Sequence, residues 1–180
     1  MDAFELKILN AIQHFFRCPI MDRIICFFNL FGEYGAFWIA LALLLLCFKK
    51  TRRIGASVAL ALMIGFAFGN GLLKHLIARP RPFTLNPAVS LAVSKLTDSS
   101  FPSGHALACF ESAAAVFCFH KKWGAAALLL AAIVGFGRIY LYVHFPSDVL
   151  AGALLGIGVG VLSVFLVNRI FDRITQRKNK

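Results

Sequence analysis

The sequence predicts an all-α protein, a polytopic membrane helix bundle of five or six transmembrane helices with an N-terminal amphipathic helix. Composition is the first reason, because 59% of the 180 residues are hydrophobic and 15% are charged, whereas a soluble domain is about a quarter charged. Length is the second reason, because a span takes roughly 20 residues, so five or six spans use nearly the whole chain. We therefore expect residues 1–180 to form a single integral membrane domain and exclude a soluble enzyme.

The first predicted element is an amphipathic helix at residues 4–16. Its apolar side chains recur at helical spacing with polar residues between them. The segment is therefore too polar to span and suits a helix that lies in the membrane interface. An alternative interpretation is a first half-span that pairs with residues 24–31. The next apolar block, residues 34–48, ends at the basic residues 49–53.

The remaining spans are predicted from four apolar runs. Residues 54–73 form an uncharged run of 20 residues and residues 149–167 an uncharged run of 19, and each is long enough to cross a bilayer. Two further runs lie between them, at residues 104–119 and 123–137. In the polar loop at residues 79–102, Pro80, Pro82 and Pro87 exclude a helix through the first part.

Basic residues predict the orientation. The segments at residues 49–53, 121–122 and 169–180 hold four, two and five Lys or Arg and must share one side. The other side holds five in all, namely Lys74, Arg79, Arg81, Lys95 and Arg138. The positive-inside rule then places the C-terminus in the cytoplasm and the proline-containing loop outside the inner (cytoplasmic) membrane. Because this bias also explains the net charge of +11, we predict no nucleic-acid partner.

Charged and titratable residues gather at the outward ends of the predicted spans. They are Lys74, Arg81, His105, Arg138, His144 and Asp148. Such groups beside apolar runs are costly and are usually functional. Three cations at one depth on one face predict a site for an anion.

The segments around Pro102 and Pro146 look like helix starts, since proline favours the first helical position. Ser103, Gly104 and His105 would then offer free backbone N–H groups at the positive end of a helix dipole. Gly104 would let an anion approach the backbone closely. Together with lysine and arginine side chains, this arrangement predicts phosphate binding.

The two histidines have different neighbours. Asp148 lies four residues after His144, close enough to accept the imidazole N–H, which is the orienting role of the carboxylate in a catalytic triad. His144 is thereby prepared as a nucleophile towards phosphorus, and His105 could hold the proton for a leaving group. Two histidines and a carboxylate are also a ligand set for non-haem iron. Since three nearby cations would repel a divalent metal, we predict no metal and no cofactor.

Over residues 74–148 the chain resembles the type-2 phosphatidic acid phosphatase superfamily, in its integral-membrane, bacterial lipid phosphatase branch. The three-part signature of that family matches in order and spacing at Lys74-x6-Arg81-Pro82, Pro102-Ser103-Gly104-His105 and Arg138-x5-His144-x3-Asp148. The resemblance implies a set of side chains and backbone groups that bind the phosphate oxygens: Lys74, Arg81, Ser103, Gly104 and Arg138.

The resemblance also implies the catalytic roles. His144 becomes a phosphohistidine, Asp148 orients it and His105 protonates the leaving group, without a metal or other cofactor. The third motif of the family usually begins Ser-Arg, whereas here Gly137 precedes Arg138. This departure removes one phosphate hydrogen bond, a net contribution of about 0.5–1.5 kcal/mol.

The resemblance implies a lipid phosphate or diphosphate as the substrate, and the predicted orientation places its hydrolysis at the periplasmic or extracellular face. The candidates are undecaprenyl diphosphate, phosphatidylglycerol phosphate, phosphatidate and lipid A 1-phosphate. The alternative is a catalytically idle membrane protein that binds lipid phosphates. Two charges stay open: Arg79 is an exposed loop charge or adds positive potential to the site, and Glu111 is a contact between helices, a headgroup ligand or a proton relay.

Overall fold

The computed structural model describes residues 2–178, and within that range the chain is helical with no strand. The helices in chain order are α1 (Asp2–Phe16), α2 (Pro19–Asn29), α3 (Ala36–Cys47), α4 (Arg52–Gly65), α5 (Lys74–Ile77), α6 (Pro82–Leu85), α7 (Gly104–Phe119), α8 (Lys121–Tyr140) and α9 (Pro146–Lys178). A 3-10 turn at Glu33–Gly35 joins α2 to α3, and a π-helical segment at Phe66–Leu73 joins α4 to α5.

Five apolar segments make up the membrane bundle. Within the described residues, four stretches are long and apolar enough to cross a membrane: Pro19–Cys47, Arg52–Leu85, Lys121–Tyr140 and Pro146–Arg177. The fifth is the shorter apolar helix α7, Gly104–Phe119. This confirms the predicted all-α membrane bundle and corresponds to the lower of the two predicted span numbers.

The N-terminal helix α1 is not one of these five segments, and it packs on the bundle with one face. Its Leu9 is fully buried, whereas Phe4, Phe15 and Phe16 are exposed. Gln13 at its C-terminal end donates a hydrogen bond of 2.5 Å to the backbone carbonyl of Tyr140 at the end of α8. An amphipathic helix docked on the bundle by one face fits the interface helix that the sequence predicts, and not a half-span.

Helix α7 lies at the centre of the bundle, between α4, α8 and α9. The glycines of α9 that face it are Gly152, Gly156 and Gly160, and a Cβ atom at any of them would lie 2.3–2.7 Å from a backbone oxygen at the start of or within α7. Glycine at every fourth position therefore allows the two helix backbones to touch. The Ser103 N–H also donates to the Asp148 carbonyl oxygen at 3.1 Å. The starts of α7 and α9, which carry two of the three motifs, are thus fixed side by side.

The turn between α2 and α3 contains two residues with positive φ angles. Tyr34 and Gly35 have φ angles of 49° and 65°, in the left-handed region that a non-glycine residue enters only at a cost. The turn contacts α7. It thereby brings Asn29 and Glu33, one helical turn apart, to the start of α7.

The loop that the sequence predicts at residues 79–102 contains one short helix. Pro82 occupies the first turn of α6, so the prediction that the prolines exclude helix from this part was wrong there. Proline at the first helical position loses no hydrogen bond. The loop also returns to the bundle, since Arg81 and Phe83 are buried.

Candidate active site

The predicted site residues meet at one cavity of about 1030 Å³. Six of them line it: Lys74, Arg81, Gly104, His105, Arg138 and His144. The other two, Ser103 and Asp148, are fully buried and do not line it. Much of the remaining wall is apolar and includes Ile39, Leu43, Leu62, Met63 and Phe66. A cavity that joins cations and histidines to an apolar wall fits an amphiphile with an anionic head group.

His144 lies between α8 and α9 with 1% of its surface exposed. Its Nδ1 is 2.7 Å from the Ser100 carbonyl oxygen, which can only accept, so Nδ1 carries the proton and Nε2 keeps its lone pair. Nε2 lies 3.3 Å from the Arg81 guanidinium. Burial lowers the pKa of His144 well below its usual range, and the charges of Arg138, Arg81 and Lys74 act in the same direction. The ring is therefore neutral at pH 7, the form in which Nε2 can attack phosphorus.

Asp148 is close to His144 but does not bond to it directly. Its Oδ2 is 3.7 Å from the His144 Nδ1, which is longer than a hydrogen bond. That oxygen accepts instead from the Ser100 hydroxyl at 2.5 Å and from the Phe145 N–H at 2.9 Å. Ser100 therefore links the two residues, since its carbonyl accepts from the histidine and its hydroxyl donates to the carboxylate.

Arg79 holds the other oxygen of the Asp148 carboxylate. Its NH1 is 2.5 Å from Asp148 Oδ1, and its NH2 is 2.6 Å from Glu5 Oε2 in α1. The guanidinium also lies 4.0 Å from the centre of the Phe145 ring. With 15% of its side chain exposed, Arg79 is not the exposed loop charge that was one of the two predicted alternatives.

Asp98 holds the cations Lys74 and Arg81 together. Its Oδ1 accepts from Arg81 NH2 at 2.7 Å and its Oδ2 from the Lys74 ammonium. Burial alone would raise the pKa of Asp98, but the hydrogen bonds and charges of Lys74 and Arg81 outweigh it and lower that pKa to about 2. A phosphate group that binds both cations must therefore compete with a permanently charged carboxylate or share the cations with it.

His105 and Arg138 form another part of the cavity wall. Arg138 NH1 lies 3.4 Å from His105 Nε2 and also donates to the side-chain oxygen of Asn29. The Asn29 amide in turn donates to Glu33 Oε2 at 3.2 Å, and that oxygen is 3.8 Å from His105 Nε2. Glu33 has 43% of its side chain exposed, so it offers His105 a carboxylate through which protons can exchange with water.

The start of α7 has the geometry of a capped helix. The Ser103 hydroxyl accepts from the Ala106 N–H at 3.5 Å and is buried, so its part in phosphate binding stays a prediction. Gly104 lines the cavity, and a Cβ atom there would lie 3.0 Å from the side-chain oxygen of Asn70. That oxygen has no hydrogen-bond partner among residues 2–178. Glycine at position 104 thus leaves space for the unpaired side-chain oxygen of Asn70 beside the predicted phosphate site.

Gly137, the departure from the family's third motif, faces α2. A Cβ atom at this position would lie 3.2 Å from the Ile25 side chain, so a serine would require that side chain to shift by a few tenths of an ångström. Asn29, also in α2, bonds to the neighbouring Arg138.

Glu111, six residues after His105 in α7, also lines the cavity. Its carboxyl is buried, and Oε2 has no hydrogen-bond partner in the described part of the chain. A Cβ atom at Gly65 would lie 1.9 Å from that oxygen. The side chain therefore depends on a glycine opposite and makes no hydrogen bond from Oε2 to a neighbouring helix.

Four residues that contact the predicted site residues were not predicted from the sequence: Asn29, Glu33, Asp98 and Ser100. Two signals were available in the sequence. Asn29 and Glu33 are polar residues one turn apart in an otherwise apolar stretch, which indicates a shared role. Asp98 and Ser100 come shortly before the second motif, in the polar run at residues 97–100.

Comparisons with known proteins show which family this chain resembles. A profile described as the PAP2 superfamily matches residues 50–172. An undecaprenyl-diphosphatase of Sulfolobus acidocaldarius is 36% identical over 90% of this chain and 78% of its own. The crystal structure of Aquifex aeolicus LpxE has a TM-score of 0.70 and 31% identity over 88% of this chain and 93% of that one. The structure of a transmembrane PAP2 type phosphatidylglycerolphosphate phosphatase from Bacillus subtilis has a TM-score of 0.75 and 25% identity, over 96% of this chain and 86% of that one.

Proposed function

Because this chain belongs to the PAP2 superfamily and is a membrane lipid phosphatase, we propose that it hydrolyses a lipid phosphate or diphosphate through a phosphohistidine on His144. The observation that carries the proposal is the cavity in which the motif histidines His105 and His144 and three cations adjoin an apolar wall. The substrate's phosphate lies at the cations and its hydrocarbon lies along that wall.

In the first step the His144 Nε2 attacks the terminal phosphorus. The neutral ring and the Nδ1–H bond to Ser100 support this role, because they direct the lone pair away from the buried side. A bond forms between Nε2 and phosphorus as the bond from phosphorus to the lipid oxygen breaks. His105 donates a proton to that oxygen, while Lys74, Arg81 and Arg138 stabilise the charge on the phosphoryl oxygens.

In the second step water attacks the phosphorus of the phosphohistidine. His105, which lost its proton in the first step, accepts one from the water, and the N–P bond breaks to release inorganic phosphate. Neutral His144 and protonated His105 are restored. Asp148 stabilises the charge that His144 carries while it is phosphorylated. These steps need no metal, so we propose a metal-independent enzyme.

Among the candidate lipids we expect a polyprenyl diphosphate such as undecaprenyl diphosphate to be the preferred substrate. The relative from Sulfolobus acidocaldarius is named for that activity. The cavity wall that includes Ile39, Leu43 and Phe66 is largely apolar and suits an unbroken hydrocarbon chain. Phosphatidylglycerol phosphate, phosphatidate and lipid A 1-phosphate are the other candidates.

Phosphate release from these four lipids, measured with the purified protein in detergent, tests the function and ranks the substrates. We expect hydrolysis that survives EDTA and is inhibited by vanadate, because a trigonal-bipyramidal oxyanion resembles the transition state that the cations are placed to bind. Binding of vanadate without turnover of any lipid would instead indicate the catalytically idle binder. Loss of activity on chelation, restored by Fe(II) or Zn(II), would overturn the metal-independent mechanism.

We also propose that the site faces the periplasm or exterior from the inner membrane, with the C-terminus in the cytoplasm. The Arg53 guanidinium bonds to Asp172 at 2.9 Å, which marks the end of the bundle remote from the cavity. Basic residues collect at that end, at residues 49–53, 121–122 and 169–177. Such a bias favours the cytoplasmic side.

Cysteine labelling in intact cells tests this topology. Ser94 is exposed in the loop on the cavity side, and Thr175 is exposed near the end of α9. In a background that lacks the five native cysteines, we expect Ser94→Cys to react with an impermeant maleimide and Thr175→Cys to react only after the membrane is opened. The reverse pattern would place hydrolysis at the cytoplasmic leaflet.

A further inference from the structure

We propose that Arg79 is a positioning residue for catalysis, and that Glu5 of the N-terminal helix α1 holds it in place. Arg79 lies between two buried carboxylates, with NH1 2.5 Å from Asp148 Oδ1 and NH2 2.6 Å from Glu5 Oε2. NH1 also donates to the Ser147 hydroxyl at 2.7 Å. The inference rests on the proposed function, because it assumes that Asp148 supports His144 during turnover.

The need for a cation here follows from the burial of its partners. Asp148 has 0% of its side chain exposed and Glu5 has 7%. Two buried carboxylates that contact the same guanidinium would repel each other if that guanidinium were absent. A guanidinium can bond both at once through separate nitrogens, whereas an ammonium offers only a point charge. Arg79 therefore offsets the repulsion between Asp148 and Glu5 and fixes one oxygen of Asp148.

With one oxygen held by Arg79, the other Asp148 oxygen has a defined direction. Oδ2 accepts from the Ser100 hydroxyl and the Phe145 N–H. The Ser100 carbonyl in turn accepts from His144 Nδ1. The contacts thus run from Glu5 through Arg79, Asp148 and Ser100 to the nucleophile. A rotation of the Asp148 carboxylate would disturb its contact with Ser100 and, through Ser100, the contact with His144.

Arg79 acts from behind the site and does not line the cavity. Arg81, only two residues later, lines the cavity and touches His144 Nε2. We therefore expect different kinetic effects when the two arginines are replaced. Loss of Arg81 removes a phosphate contact, which raises KM and lowers kcat, whereas loss of Arg79 leaves substrate binding intact and lowers kcat alone.

Glu5 connects helix α1 to the same series of contacts. Besides Arg79, it accepts from the Ser147 N–H at 2.8 Å and the Ser147 hydroxyl at 3.1 Å, at the start of α9. A helix that lies at the membrane interface is therefore bonded directly to the first turn of the helix that carries Asp148.

The test compares Arg79→Met, Arg79→Lys, Glu5→Gln and the double variant, with undecaprenyl diphosphate as the probe. We expect Arg79→Met to lower kcat about ten- to hundredfold, as loss of an orienting partner typically does, with KM and vanadate inhibition within about threefold of wild type. Arg79→Lys recovers part of the loss. Glu5→Gln lowers kcat less, and the double variant is no slower than Arg79→Met because Glu5 acts through Arg79.

Arg53→Met is the matched control, since it breaks an exposed arginine–aspartate pair at the remote end of the bundle and should not change kcat. A thermal shift with vanadate shows whether each variant is folded, and Glu5→Gln decides the outcome if Arg79→Met does not fold. Unchanged kcat in the folded variants would overturn the proposal, and a raised KM at unchanged kcat would make Arg79 a phosphate ligand. An inactive wild type would instead contradict the proposed function.

Discussion

Replacing His144 with alanine is expected to abolish lipid phosphate hydrolysis, with a loss of at least about a thousandfold in kcat. The residue is the proposed nucleophile, and its Nε2 faces the cavity beside Arg81. Wild-type protein quenched in alkali during turnover should carry phosphate that is stable to alkali and released by acid. His144→Ala should carry none. Phosphate release and retention of label from a lipid labelled at the transferred phosphoryl group measure both effects.

The control must separate lost chemistry from lost structure, because His144 is 1% exposed and alanine leaves a void. His144→Gln fills more of that space and keeps an amide near the position of Nε2, yet cannot form the N–P bond. Both variants should still be stabilised by vanadate. His120→Gln, at an exposed histidine before α8, should behave as wild type. Turnover by either His144 variant, or label retained without His144, would contradict the nucleophile assignment.

Most of the bundle could be predicted because apolar runs in a membrane protein report directly on helices. The run at residues 104–119 coincides with α7, and the segment at residues 4–16 is helix α1 with an earlier start. The close packing of α7 on α9 was not predicted. It depends on glycines at every fourth position of α9. Their role in packing can be recognised only when the backbone that faces them is known.

The site was predictable where the motifs are contiguous and not where distant segments converge. Residues such as His105 and His144 lie together because each starts or precedes a helix at the same end of the bundle. The bonds of Asn29 to Arg138 and of Glu5 to Arg79 join positions 109 and 74 residues apart. No sequence-spacing rule predicts a contact between residues that are so far apart in the chain. These bonds arise because α1 and α2 pack on the same end of the bundle as the motifs, which is a property of tertiary packing.

His105→Gln is expected to lower hydrolysis of a lipid phosphate by about 10²–10⁴-fold, the usual contribution of a general acid. A lipid alkoxide, which a phosphomonoester such as phosphatidate releases, is a poor leaving group without a proton, and His105 is the motif histidine that lines the cavity beside Arg138. With 4-nitrophenyl phosphate the leaving group needs no proton, so the first step should be nearly restored. The second step still lacks its base. The variant should therefore release one nitrophenol per protein rapidly, stop, and accumulate phosphohistidine on His144.

This burst distinguishes His105 from every neighbour that contacts it. A residue that only binds phosphate, such as Arg138 at 3.4 Å from His105 Nε2, should lose activity towards both substrates alike when it is replaced. Glu33→Gln, which removes the carboxylate 3.8 Å away, should slow proton exchange with little effect on the burst. If His105→Gln is equally impaired with the aryl and the lipid substrates and shows no burst, His105 is not the acid. For a lipid phosphomonoester the proton must then come from another group or from water admitted to the cavity, since its alkoxide cannot leave without a proton at neutral pH.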